Sequence, residues 1–578
     1  MNKSTIFKIM LILSIMFSGG TFMINEFILS TMSSMILGDS FTTYAFTIML
    51  MVIGTALGGG IQMFVSNRNL SDKFLLLEIT LALVGAFSSI FIYYLFVSSS
   101  YLFTTYLHIV IILIGFFIGF EVPLLIRITQ KYNTRLESTL SLLFGAEYIG
   151  SAIGTYIWIT LLLYNFPLTE SGFIISILNI TLAFLTFGYY LLNKKELNSE
   201  ALAKEKAELE KEIKVAEFLN EDTSYRRDVL RKLKEESSLI GKKTFLISIL
   251  VVYSLLFYGY FNNRNWSISL EQRYYEDPII LSEKTKYQKV IITKNSNSGN
   301  VKLFLNNSIQ FSSKDEHIYH EALLAPIMSL VKGSDVLIIG GGDGFVANSL
   351  SKYKNVNITQ VDLDRELILL AKNNEVLKKL NNNVYERINI IDTDAITGSV
   401  SEKLLDNTDD SVSLITIDAS LFVHSIAKNK KWDAIIIDLP DPKTPELAKL
   451  YSKFFYNNVR KRLNKKGLVV IQSTSPYYAK EVFLCIGRTL KSSGFNSVLP
   501  YHINVPSFGD WGYYIASEDN ISINAMNISA HSEYLTKPLL KSMFFFGKGT
   551  LHTNDIRINS ILTPVIVDMY VNNSWKNI

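Results

Sequence analysis

Six apolar runs, at roughly 7–31, 41–65, 74–97, 102–126, 139–164 and 172–192, each suffice to cross the ~30 Å hydrocarbon core of a bilayer. Away from water, a run of this kind satisfies its own backbone only as a helix. The constraint is severe: residues 1–193 are expected to form a multi-pass α-helical membrane domain. A cleaved signal peptide is not expected, because Thr21 to Leu37 stays largely apolar without a small-residue cleavage site and further runs follow directly.

Lysines and arginines orient the bundle. Lys3 and Lys8 precede the first run, Arg68 and Lys73 separate the second from the third, and Arg127, Lys131 and Arg135 separate the fourth from the fifth. The alternate loops, near Asp39, 98–101 and 165–172, carry neither residue, so the N-terminus belongs on the cytoplasmic side. Residues 194–243, with the run ALAKEKAELEKEIK, read as a charged cytoplasmic helical linker held by i,i+4 ion pairs. A seventh apolar segment, 244–261, is shorter and rich in tyrosine, and reads as a span or as an interfacial helix. The interfacial reading keeps everything after it cytoplasmic. Glu26, Glu78, Glu121 and Glu147 fall inside the runs without a matching intramembrane Lys or Arg, which marks them as functional candidates.

The remainder has the composition of a soluble protein. A net charge of +4 over 578 residues gives no footprint for a nucleic-acid partner. One cysteine, Cys485, excludes an internal disulfide and a thiolate metal cluster. Residues 262–329 contain short β patterns, YQKVIIT and VKLFLN, and read as a small β-rich lid. Over 330–578 the pattern becomes that of a Rossmann-like α/β domain: VLIIGGGDG is an apolar strand running into glycines, and ITQVDLD is a second strand ending in acids. Gly340 and Gly342 let backbone approach a ligand closely. Asp362, about twenty residues on, suits a ribose. A third strand, AIIID, ends in Asp438 with Asp441 three residues beyond, at the edge where open α/β sheets bind ligands. No GxxxxGK[ST] loop is present, which disfavours nucleotide hydrolysis.

Taken in order, Tyr287-Gln288, LNNSIQFSSKDEHIYHE (305–321), GGGDG (340–344), VDLD (361–364), DLPDP (438–442) and KLYSKFFY (449–456) resemble the signature set of the polyamine aminopropyltransferases, the spermidine synthases. INEFILS (24–30), GFEVPLL (119–125) and VPSFGDWG (505–512) are similar to stretches of the membrane-anchored branch. The resemblance implies transfer of an aminopropyl group from decarboxylated S-adenosylmethionine, a co-substrate, to a diamine such as putrescine. Spermidine and methylthioadenosine would result, with no cofactor and no metal. It implies Asp438 as proton acceptor, assisted by Tyr287. Gln288, Asp362, Gly340, Gly342 and Pro445 would hold the nucleoside, and His320, Asp343 and Asp441 the amine. Either Asp394 or Asp418 would serve the adenine side, and the two stay open alternatives. Expected partners are the two substrates and a lipid bilayer, with self-association left open and the catalytic domain on the cytoplasmic face of the cell membrane. Two other readings remain: a membrane transporter or sensor that binds polyamine without turnover, and an S-adenosylmethionine methyltransferase. Asp343 argues against the latter, since it would repel the donor's carboxylate. The chain departs from the family pattern at Asn307 and at Lys443-Thr444, where glycine is usual.

Overall fold

The computed structural model describes residues 2–37, 40–98, 100–132, 136–219, 222–232, 239–392, 412–528, 532–552 and 555–574. They form two compact units, Met1–Glu276 and Asp277–Ile578.

In the first unit seven helices are long and apolar enough to cross a membrane. They are α1 (Lys3–Leu37), α2 (Ser40–Ile61), α3 (Leu70–Ser98), α4 (Ser100–Gln130), α5 (Leu136–Ile157), α6 (Leu168–Phe218) and α7 (Lys242–Gln272). The second and fourth approach at glycines. A Cβ on Gly58 would strike the Phe116 carbonyl, and one on Gly119 the Thr55 carbonyl, so two pairs spaced as GxxxG, Gly54 with Gly58 and Gly115 with Gly119, let the backbones meet. The sixth runs unbroken for 51 residues, past the expected boundary at 193, because the charged segment consists of strong helix formers.

The seventh does not stop at Phe261. No Gly or Pro interrupts NNRNWSISLEQ, and residues 262–272, expected in the β-rich lid, prolong the helix to 31 residues. Its neighbours trace its course. Just before it, the Leu239 amide donates to Asp72 in the first turn of α3 (2.7 Å). Phe245 packs on Phe184 and Phe187, Tyr253 shares a hydrogen bond with Thr181 (2.6 Å), and Gly259 faces Phe173 and Phe87. At the far end Thr169 donates to Asn263 (3.0 Å) and Tyr274 stacks on Phe96. Thus α7 runs antiparallel to α6 and parallel to α3 along the whole length of the bundle.

The second unit contains two sheets. A four-stranded antiparallel sheet, in the order β1-β2-β3-β4, is built from β1 (Ile279–Lys284), β2 (Lys289–Lys294), β3 (Val301–Leu305) and β4 (Ser308–Ser312). Asn306 and Asn307, both at positive φ (47° and 64°), make the two-residue turn between β3 and β4. Asparagine tolerates this left-handed backbone, so the departure from glycine at Asn307 leaves the hairpin intact.

After helix α8 (Glu316–Met328) come β5 (Asp335–Gly340), helix α9 (Phe345–Leu350), β6 (Asn357–Asp362), helix α10 (Arg365–Asn373), β7 (Ile388–Asp392), β8 (Val412–Thr416), β9 (Trp432–Asp438), β10 (Leu463–Gln472), β11 (Ser497–Val505) and β12 (Gly509–Ser517). The strands form one eight-stranded sheet in the order β11-β12-β10-β9-β5-β6-β8-β7, parallel from β10 to β7 and antiparallel at β12 and β11. Both faces are covered: Leu337, Ile339, Ile435 and Ile437 enter one buried cluster, and Val336, Ile338, Ala434 and Ile436 the other. That two-sided burial explains the uninterrupted apolar runs VLII and AIII. The order reverses between β5 and β9, and Gly340 pairs there in register with Asp438. Ligands of such sheets bind at this switch point.

Candidate active site

The glycine loop after β5 is braced from β6. Gly340, Gly341 and Gly344 all take positive φ, and the Gln360 side chain donates to the carbonyls of Gly340 (3.0 Å) and Gly341 (2.7 Å). The Tyr385 hydroxyl also donates to Gly341 (3.1 Å). A Cβ on Gly342 would press on the Asp362 carboxylate at 2.9 Å, and the Gly342 amide donates to Asp362 Oδ2 (3.0 Å). The Asp364 amide donates to Oδ1 (2.8 Å). Burial still prevails over these amides, and the neighbouring Asp364 charge adds to it, so the Asp362 carboxyl is pushed up to about 7.

Asp343 is pushed up to about 6, by burial and then by the charge of Asp438. The Phe345 amide donates to it (3.1 Å). Burial raises Asp438 as well, against the pull of His320 and a hydrogen bond from the Tyr319 hydroxyl (2.5 Å). His320 is 6% exposed. Its burial opposes a charge, but the Glu316 carboxylate, 2.6 Å from Nδ1, outweighs that and raises the imidazole. Asp441 accepts from Tyr570 (2.9 Å) and Thr474 (3.3 Å), and burial raises it too. Lys443, held by a hydrogen bond to Ser308 and lying 5.6 Å from the Tyr570 ring centre, offsets part of the Asp441 charge. The departure at Lys443 therefore adds an ammonium beside Asp441, while Thr444 caps the helix that Pro445 opens.

The structure thus brings His320, Asp343 and Asp438 together at the glycine loop, with Asp362 bonded to Gly342 and Asp441 three residues beyond the end of β9. Gln288 donates to Asp364 (2.7 Å), joining the small sheet to the end of β6. Pro445 is exposed at its helix start. Tyr287 is 41% exposed, and the hydroxyl that donates to Asp438 is that of Tyr319. Of the two adenine-side alternatives, Asp394 lies outside the described residues. Asp418 follows β8, the strand beside β6, where the Ile417 amide donates to the Asp362 carbonyl (3.0 Å). Its carboxylate caps the next helix turn through Leu421 (3.0 Å) and pairs with Lys449 (2.6 Å).

Sequence reasoning missed Glu316, Tyr319 and Tyr570. The first was legible, since Glu316 and His320 stand four apart on a helix. Tyr570, on the C-terminal helix α11 (Val565–Asn573), reaches Asp441 across 129 positions and left no local signal.

Comparison with known proteins matches residues 316–527 to the spermine/spermidine synthase domain. The polyamine aminopropyltransferase of Oceanobacillus iheyensis is 30% identical over 560 residues, 96% of this chain and 94% of that protein. That of Leptospira interrogans is 29% identical over 570 residues, 98% and 99% of the two. A crystal structure of spermidine synthase with the transition-state analogue AdoDATO aligns over 47% of this chain and 88% of its own, at 23% identity and a TM-score of 0.40. With 30% identity sustained over nearly the full length of both chains, the protein belongs to the polyamine aminopropyltransferase family.

Proposed function

We propose that the enzyme's acceptor is a diamine, putrescine foremost, and that the aminopropyl group comes from decarboxylated S-adenosylmethionine. A primary amine near pKa ~10 is almost wholly protonated at neutral pH, and only its free base attacks the methylene beside a sulfonium. Asp438 takes that proton. The new C–N bond forms as the C–S bond breaks, and sulfur leaves with the electron pair as methylthioadenosine. The observation that carries this reading is the register of Asp438 with Gly340, which sets the base across from the glycine loop at the switch point.

Tyr319, hydrogen-bonded to Asp438, supports a proton-relay role that the sequence had suggested for Tyr287. Asp362, Gln288, Gly340, Gly342 and Pro445 are assigned to the nucleoside, with Asp418 on its adenine side because β8 adjoins β6. Asp343, Asp441 and His320 are assigned to the amine ends, where carboxylates raised by burial gain from a cationic ligand. The first unit is read as a multi-pass membrane domain, supported by its seven long apolar helices.

Full-length enzyme in detergent, given decarboxylated S-adenosylmethionine, should form methylthioadenosine fastest with putrescine among putrescine, cadaverine, agmatine and spermidine. Faster turnover with another amine would move the acceptor assignment. No product with any of the four would overturn the reading.

A further inference from the structure

Asp441 is assigned to a cationic substrate, yet the chain sets a cation of its own beside it. Asp441 Oδ2 accepts from the hydroxyls of Tyr570 (2.9 Å) and Thr474 (3.3 Å). Its Oδ1 is buried and receives no hydrogen bond from any described residue. Gln472 lies close but does not serve it, because the two N–H groups of its amide go to the Leu439 carbonyl and the Tyr451 hydroxyl (3.0 Å). One carboxylate oxygen is therefore left for a ligand that can donate.

Lys443 bears on the charge of that ligand. Its backbone amide donates to the Asp441 carbonyl (2.8 Å), so the chain turns tightly between the two. Tyr570 then bridges their side chains, donating its hydroxyl to Asp441 while Lys443 Nζ lies 5.6 Å from its ring centre. Nζ also donates to Ser308 at the start of β4, which pins the side chain from the small sheet. A hydroxyl acceptor and an aromatic face both favour an ammonium. It acts on Asp441 by charge, with no hydrogen bond between the two side chains. Oδ1 thus stays open, while much of the field that a second ammonium would enter is cancelled. Taking an ammonium out of water is repaid only by a carboxylate whose charge is still available. A hydroxyl sheds its water at far lower cost and can still donate to Oδ1.

Given the assignment of Asp441 to the acceptor, on which this rests, we propose that Lys443 is a specificity-determining residue. Its ammonium answers Asp441 in place of one on the acceptor, so the enzyme discriminates only weakly between an acceptor with a charged far end and one whose far end is a neutral hydroxyl.

Putrescine and the amino alcohol in which a hydroxyl replaces one of its amines share a reacting end and differ in the charge of the far one. The test compares kcat/KM for methylthioadenosine formation from the two, with full-length enzyme and decarboxylated S-adenosylmethionine. In Lys443→Met the ratio should rise at least about tenfold in favour of putrescine, through a lower KM for the diamine. Lys443→Arg should keep the parental ratio, and adding Asp441→Asn to Lys443→Met should abolish the rise. An unchanged ratio in Lys443→Met, or an equal rise in Lys443→Arg, overturns the proposal and leaves the reaction itself standing. A parent that forms no methylthioadenosine from either amine overturns the underlying function, and the proposal with it.

Discussion

Asp343 and Asp362 retain protons at pH values where an aspartate at its ordinary 3.8 has released them. With folded values of about 6 and about 7, both take up protons on folding across the interval from 3.8 upward. Their contribution to stability is therefore full below 3.8 and is lost as pH rises through about 6 and about 7. Asp362→Asn removes the larger part. The unfolding temperature of ligand-free enzyme should decline less steeply between pH 5 and 8 in the variant, and parallel curves would contradict the assignment. The same carboxyls were legible in the sequence, because each follows a glycine run or ends an apolar strand. Tyr319 was not distinguished from Tyr287: both are tyrosines in matching motifs, and only packing decides which hydroxyl meets Asp438. Asp394 and Asp418 were not separable in the sequence; Asp394 lies outside the described residues, and Asp418 follows β8, which lies between β6 and β7.

Among elements, the α2–α4 contact depends on side-chain absence. At Gly58 and Gly119 the two backbones approach so closely that a Cβ would strike the Phe116 and Thr55 carbonyls, so the contact is made by backbone packing. Gly119→Leu places a branched side chain against the Thr55 carbonyl. Overpacking of this kind typically costs about 1–3 kcal/mol. A lower unfolding temperature of the purified chain is expected, with Gly60→Leu as control because a Cβ at Gly60 meets nothing within 4 Å. Equal loss in both variants would remove the packing argument. The strands and long helices were readable because their periods are strong; the end of α7 was not, since its last turns are polar and owe their helicity to Trp266 on Phe87 and Asn263 on Thr169.

For the whole molecule, the decisive element is that seventh helix. The expectation of a cytoplasmic catalytic domain rested on its need for cytosolic metabolites, and the interfacial reading of this helix followed from it; within the first unit its contacts run from the level of Asp72 to that of Phe96. Of the six connections between the seven helices, the three that carry Lys or Arg alternate with three that carry neither. Helix α7 runs unbroken over Lys242–Gln272, and the second unit begins at Asp277. Protease added to intact cells tests the cytoplasmic placement: the segment between Arg264 and Lys294 should stay uncut until the membrane is permeabilised. Cleavage there in intact cells would overturn the cytoplasmic placement.

The central claim is that Asp438 deprotonates the acceptor at a nucleoside site that does not depend on it. In full-length enzyme, Asp438→Asn should lower methylthioadenosine formation from decarboxylated S-adenosylmethionine and putrescine by about 10²–10⁴-fold. Its equilibrium affinity for methylthioadenosine should stay within about twofold of the parent. Parental turnover in the variant, or loss of nucleoside binding together with turnover, would contradict the account.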